Sequence, residues 1–262
     1  MGSATVQGEL WGRQPATWST VIEPQMRPLY EATLDALGLL EGVRLLDVGC
    51  GSGLALRCAA DRGATVSGVD ASAPLLEVAR QRVPAADLRT GEIEELPQDD
   101  GGFDIVMANN SIQYAVDPVQ AVAELARVAR PGGKVAIGVW GDPARCETEE
   151  LFVRLRVLAP PTPGTPAPLA ASQPGVVEAL LEKAGLQVTG GGEADCPLTF
   201  ADHDTAFKAH MSAGPLQKVV DIAGEETVRT TIHDVLEADR KPDGQLRQDN
   251  VFRYVLAEKP AG

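Results

Sequence analysis

No apolar run in these 262 residues approaches the roughly 18 needed to cross a bilayer, and no cluster of Lys or Arg occurs anywhere. The first absence excludes a membrane-spanning helix. The second removes the cationic surface by which proteins hold nucleic acid or anionic lipid, and a net charge of −14 points the same way. Aromatic residues are only 4% of the chain, and three histidines are its whole supply of side chains that ordinarily titrate near neutrality. Cys50, Cys58, Cys146 and Cys196 show neither paired spacing nor metal-ligand spacing with those histidines, so no disulfide framework or zinc site is expected. The first residues lack a basic stretch followed by an apolar one. Reduced thiols in a cytoplasm are the expectation, with no nucleic-acid or membrane partner, no bound metal, and a monomer or homodimer. No internal repeat is visible.

What the chain does have is organised around Val43-Arg44-Leu45-Leu46-Asp47-Val48-Gly49-Cys50-Gly51-Ser52-Gly53. Val43 to Val48 is a short aliphatic run bounded by glycines, the pattern of a buried strand. Glycines then fall at alternate positions, where a backbone without Cβ can turn sharply and approach a ligand. Leu54 to Arg62 has helical composition and stops at Gly63. Strand, glycine turn and helix together form a nucleotide-type site with helix amides facing the ligand. A second β run, Ala64 to Val69, ends in Asp70, placed to accept hydrogen bonds from a ribose diol. Cys50 sits in the glycine loop, where a small packing side chain or a redox thiol are the two readings.

An acid, Asp47, leading into alternate glycines and followed by Asp70 resembles the first motifs of class I S-adenosylmethionine-dependent methyltransferases. The strict dinucleotide fingerprint would place a glycine at 54, where this chain has Leu54. Two further stretches carry the likeness. Gly91-Glu92-Ile93-Glu94-Glu95-Leu96-Pro97 is similar to the family's adenine-binding loop, and Arg130-Pro131-Gly132-Gly133 leads into the apolar strand Lys134 to Trp140. The resemblance is closest to the ubiquinone-biosynthesis-like group of small-molecule enzymes. It implies S-adenosyl-L-methionine as cofactor and S-adenosyl-L-homocysteine as product, held by Asp47, Gly49, Gly51, Gly53, Asp70, Ala71, Glu92, Ile93, Asn109 and Tyr114. Within that set Glu92 would accept from the adenine amine and Ile93 would cover the ring.

The order of elements predicts an α/β fold with a doubly wound, seven-stranded, mostly parallel sheet. An N-terminal helical lid segment is expected over 1–41, the binding domain over 42–262, and a helical acceptor-pocket insertion over about 202–241. Ser72 with Pro74 and Asp117 with Pro118 read as helix starts, and 159–174, rich in proline and alanine, as a surface loop. In an open parallel sheet ligands bind beyond the strand carboxyl ends. That puts the Asn109-Asn110-Ser111-Ile112-Gln113-Tyr114 loop near the transferable methyl.

The expected acceptor is a small, partly apolar specialised metabolite, walled by Trp11, Trp18, Gln113, Trp140 and His210. Trp11 and Trp18 are either a satellite cluster or a lid over the ligands. His210 and Tyr114 are the catalytic candidates. His210 follows His203 by seven positions, hence on roughly one helix face, and His233 lies in a polar stretch. A metal-assisted mechanism would need a second acid beside Asn109, Asn110 and Asp117, and an Asn-Pro-Pro-Tyr-type amino-methyltransferase sequence is not present. Two alternatives stay open at this stage: a nicotinamide-dependent oxidoreductase, disfavoured by Leu54 and the lack of a Tyr-x-x-x-Lys pair, and a cofactor-binding relative with another activity, such as a cyclase.

Overall fold

Neighbouring residues in the central strands point to opposite faces, so each strand serves two cores. The structure, a computed structural model, describes residues 3–38, 40–160 and 169–261. An N-terminal helical segment comes first: α1 (Ala4–Trp11), the single turn α2 (Pro15–Thr17), a π-helical turn Trp18–Ile22, a 3-10 turn Glu23–Met26 and α3 (Arg27–Leu37). Then β1 (Arg44–Val48), α4 (Leu54–Ala60), β2 (Thr65–Asp70), α5 (Ala73–Arg82), β3 (Asp87–Thr90), β4 (Phe103–Asn109), α6 (Pro118–Val128) and β5 (Ala129–Trp140) alternate. The remainder is α7 (Thr148–Leu158), α8 (Val176–Lys183), β6 (Gln187–Asp195), β7 (Leu198–Phe200), α9 (His203–Ser212), α10 (Gly214–Ala223), α11 (Glu225–Ala238), β8 (Leu246–Gln248) and β9 (Val251–Glu258).

The seven-stranded sheet has the order β3-β2-β1-β4-β5-β9-β6. Its first five strands are parallel, and β9 runs antiparallel between β5 and β6. Strand order reverses between β1 and β4, and the crevice at their carboxyl ends is where such sheets bind ligands. Leu45, Ile105, Met107 and Ala136 pack on the face covered by α3 and α4, in a core that extends into α9, α10 and α11. Leu46, Val106, Ala108 and Ile137 pack on the other, against Val122 and Leu125 of α6 and Leu181 of α8.

Helix starts follow local chemistry. The Ser72 hydroxyl accepts from the Leu75 amide at 3.3 Å, and Asp117 accepts from Val119 and Gln120 at 3.0 and 3.1 Å. Asp202 caps α9 through the Thr205 amide at 2.7 Å. The small β7–β8 sheet has no counterpart in the sequence reading, because each strand is three residues long and its partner lies far along the chain. Strand β5 also starts earlier than Lys134, since Ala129 pairs with Phe103 across a bulge. Of the loop expected over 159–174, residues 161–168 lie outside the described residues.

Candidate active site

The glycine turn after β1 forms the floor of the crevice. Gly49 and Gly51 have φ of +77° and +54°, where a side chain is strained. A Cβ on Gly49 would stand 2.3 Å from that of Ser111, so the turn lies hard against the β4 loop. A Cβ on Gly51 would stand on the cleft side in ordinary contact with Glu23 Oε1 and Trp18 Nε1, each at 3.8 Å. Gly53, the N-cap of α4, lies 3.0 Å by the same construction from Ala79 and serves helix packing. The Asp70 carboxylate accepts from the Gly51 amide and the Ser72 amide, each at 2.8 Å, which clamps the turn to the end of β2. Burial raises its pKa, and the two amides oppose that rise.

Behind the turn, Asp47 is 2% exposed, and its Oδ1 has no partner among the described residues. Burial first, then the charges of Asp70 and Glu23, push its carboxyl up to about 8. Glu23 is the residue that ties the N-terminal segment to the loop. Its carboxylate accepts from the Ser52 hydroxyl, the Leu54 amide (3.3 Å) and the Arg82 guanidinium. Arg82 also donates to the Ser52 carbonyl at 2.9 Å and the Ser19 carbonyl at 3.1 Å.

A cleft of about 720 Å³ opens over this floor, well inside the range of about 300–1,000 Å³ for small-molecule sites. Gly49, Gly51, Asp70, Ala71, Glu92, Ile93, Asn109, Gln113, Tyr114, Trp11, Trp18, Trp140 and His210 all line it, while Asp47 and Gly53 lie behind its wall. Glu92 holds the chain's own N-terminus: Ser3 Oγ donates to Oε1 and the Ala4 amide to Oε2, both at 2.8 Å. Trp11 meets Trp18 edge-on at 4.8 Å and Tyr114 at 5.6 Å. Burial pushes the Tyr114 phenol up to about 12. Trp140 packs on Phe252 and Phe152 with centroids 4.3 and 5.5 Å away. Asn110 takes the left-handed conformation at φ +53° and turns the chain sharply at the end of β4.

His210 is 4% exposed with no partner at Nε2 among the described residues, and burial lowers its pKa to about 4, so it is neutral at physiological pH. His203 does not share its surroundings. As first residue of α9 it sits about two turns away and pairs with Glu237 of α11 at 2.5 Å. His233 is exposed on α11. Among the described residues His203, His233 and Glu237 are the one group with ligand atoms close enough for a metal, within 4.8 Å, and Arg240 already pairs with that carboxylate. All four cysteines are buried and unpaired. Burial, then the neighbouring carboxylates, keep the Cys50 thiol protonated, which removes the nucleophilic form a redox role requires.

Among the described residues, polar groups of four side chains therefore line or back one crevice without a partner: Asp47 Oδ1, both amide atoms of Asn109, Gln113 Oε1 and His210 Nε2. Each would cost about 1–3 kcal/mol if left unmet, so the residues fit a polar ligand lodged among them. A methyltransferase-domain family model matches residues 46–137, the segment from β1 through most of β5. Over those residues the chain is similar to class I S-adenosylmethionine-dependent methyltransferases. Its curated relatives include the demethylmenaquinone methyltransferase of Renibacterium salmoninarum, 34% identical over 45% of this chain and 50% of that one. The malonyl-[acyl-carrier protein] O-methyltransferase of Serratia marcescens is 42% identical over 36% of this chain and 37% of its own. The chain spans between 32% and 58% of the length of curated relatives it matches. In fold it is similar to a SAM-dependent methyltransferase from Aquifex aeolicus, with a TM-score of 0.56, 18% identity, and coverage of 93% of this chain and 97% of that one.

The family match stops at residue 137, so α7 and α9–α11, which also line the cleft, lie outside the matched segment. Sequence reasoning missed four residues of its walls and supports: Glu23, Arg82, Tyr30 and Arg156. Tyr30 is buried, and burial followed by the Glu23 and Asp47 charges raise its phenol well above the ordinary value. The partners of Glu23 lie 29 to 59 residues away, which leaves no local pattern to read.

Proposed function

We propose that this chain transfers a methyl group from S-adenosyl-L-methionine to a small, largely apolar acceptor, leaving S-adenosyl-L-homocysteine. The observation that carries the reading is the continuity of one cleft, from the glycine turn and Asp70 at one end to Trp140, Phe152, His210 and Phe252 at the other. Asp70 would receive the ribose hydroxyls, Glu92 and Ile93 the adenine, and the amides of the glycine turn the amino-acid portion. When bound, the cofactor supplies a methyl group made electrophilic by a positive sulfur. The protein's own part is to hold the acceptor in line and exclude water, which can supply much of the rate. Residues 1–41 act as a lid, with Trp11 and Trp18 over the cleft. The 202–241 insertion forms the acceptor side. His210, neutral and unpartnered, is the group positioned to take an acceptor proton, while Tyr114 keeps its own proton and shapes the wall. Four thiols that remain unpaired fit the cytoplasm.

Incubation with methyl-labelled donor and a panel of phenols, carboxylic acids and amines tests this. Label in product, lost in Gly51→Val and reduced in His210→Ala with unchanged cofactor affinity, supports transfer. Rearranged acceptor without label would instead mark a cyclase, and binding of a nicotinamide in preference to S-adenosylhomocysteine would overturn the cofactor assignment.

A further inference from the structure

The charges lining the cleft are segregated. Its acids, Glu23, Asp70 and Glu92, belong to the end built by the glycine turn and the N-terminal segment. Its two cations, Arg156 and Lys218, stand on α7, beside Phe152 and Trp140, and on α10, which packs against both α7 and α1. Arg156 occupies a helix face with Phe152, Leu155 and Ala159, spaced i, i+3, i+4 and i+7 along α7, and all of that face lines the cleft. Lys218 shares a face of α10 with Pro215, Val219 and Ile222, again on the cleft.

Arg156 differs from every other arginine in the chain. Each of the others has a carboxylate oxygen within 4.0 Å. Among the described residues Arg156 has none, although the chain carries 37 acids against 23 bases and is not short of partners. Residues 161–168, which follow α7, contain no Asp or Glu. Its field reaches Glu149, two turns back on the same helix, whose carboxyl is raised by burial and lowered in part by Arg156. A half-buried guanidinium with five donors and no anion, set in an apolar wall, is a fork awaiting a planar oxyanion. In a molecule of net charge −14, such a focus of positive potential also draws an anionic ligand to that wall of the cleft.

We propose that the acceptor carries an oxyanion, a carboxylate or phosphate ester, bound by Arg156 with Lys218 at the wall of the cleft formed by α7 and α10. This rests on the methyltransferase reading of that cleft. It deepens that reading by giving the acceptor an apolar body and one anionic end.

The test measures binding by calorimetry to the S-adenosylhomocysteine-saturated protein, using 2-naphthoate, 2-naphthyl phosphate and the neutral 2-naphthalenemethanol. At least one anion should bind about tenfold or more tighter than the alcohol, the scale of one charge-assisted hydrogen bond. Whichever anion is preferred identifies the oxyanion. Arg156→Met should bring the anions to the level of the alcohol, Arg156→Lys should keep part of the preference, and Lys218→Met should weaken the anions less. S-adenosylhomocysteine affinity should be unchanged in all three variants, which also reports that they fold. Equal binding of the three probes, failure of both anions to bind, or a preference that survives Arg156→Met overturns the proposal. Loss of S-adenosylhomocysteine binding by the unaltered protein would instead remove the methyltransferase reading, and the probe series run without that ligand still decides the role of Arg156.

Discussion

At the scale of single residues the crevice holds backbone and side chains in states that an ordinary core would avoid. Gly51 combines a φ of +54° with a Cβ direction that points into the cleft. Gly51→Val should therefore cost about 1–2 kcal/mol in backbone strain and abolish S-adenosylhomocysteine binding by calorimetry; undiminished affinity would count against the cradle. Asp47 and His210 give opposite pH signatures. The Asp47 carboxyl, near 8 in the fold, keeps a proton that the unfolded chain releases near the ordinary carboxylate range. Stability from this residue is greatest in acid and falls as pH rises to about 8. His210, near 4 in the fold, stays neutral where the unfolded chain takes up a proton below about 6.5. Its contribution falls as pH drops from about 6.5 to 4. Urea midpoints of Asp47→Asn and His210→Leu against pH should show each slope flattened in its own window, and parallel curves for variant and wild type would show that these groups do not titrate as described.

At the scale of elements, the N-terminal segment is joined to the glycine loop by a buried charge pair and not only by apolar contact. Glu23 lies 3% exposed at its side chain and Arg82 21%. Removing one partner strands the other, a loss of about 3 kcal/mol or more. Glu23→Ala should lower thermal stability on that scale and loosen the segment, seen as faster amide exchange in residues 15–26 before any change in the sheet. If exchange there is unaltered, the segment is held by its hydrophobic contacts, chiefly Ile22, Met26 and Leu29. The helix caps at Ser72, Asp117 and Asp202 show the reverse case, in which a local side chain suffices to start an element.

At the scale of the whole molecule, the crevice lies where β1 and β4 diverge, and elements from residue 3 to residue 252 meet at its walls. A ligand spanning it should couple to global unfolding. Saturation with S-adenosylhomocysteine at about 100 times its dissociation constant stabilises by about 2.7 kcal/mol. For a chain of this size that corresponds to a rise in melting temperature of roughly 5–10 °C, measurable by scanning calorimetry; no rise would mean that the ligand is not held by the folded crevice. The separation of charge inside the cleft, acids beside the glycine turn and N-terminal segment and cations on α7 and α10, is likewise a property of the assembled molecule.

Sequence alone determined the parallel strands, the glycine turn, Asp70 and the capped helix starts, because each depends on residues within a few positions of one another: a short aliphatic run, a missing Cβ, a hydroxyl beside an amide. It also carried the resemblance to methyltransferases, through Asp47 to Gly53 and the 91–97 loop. Only tertiary structure decided which polar groups lose their partners and which charges meet. Glu23 finds Arg82 across 59 residues, His203 leaves His210 for Glu237, and Arg156 is marked only by the lack of a carboxylate beside it. Those relations are set by how α3, α7 and α9–α11 close over the sheet, and burial, which turns an ordinary acid or imidazole into a shifted one, exists only after they have closed.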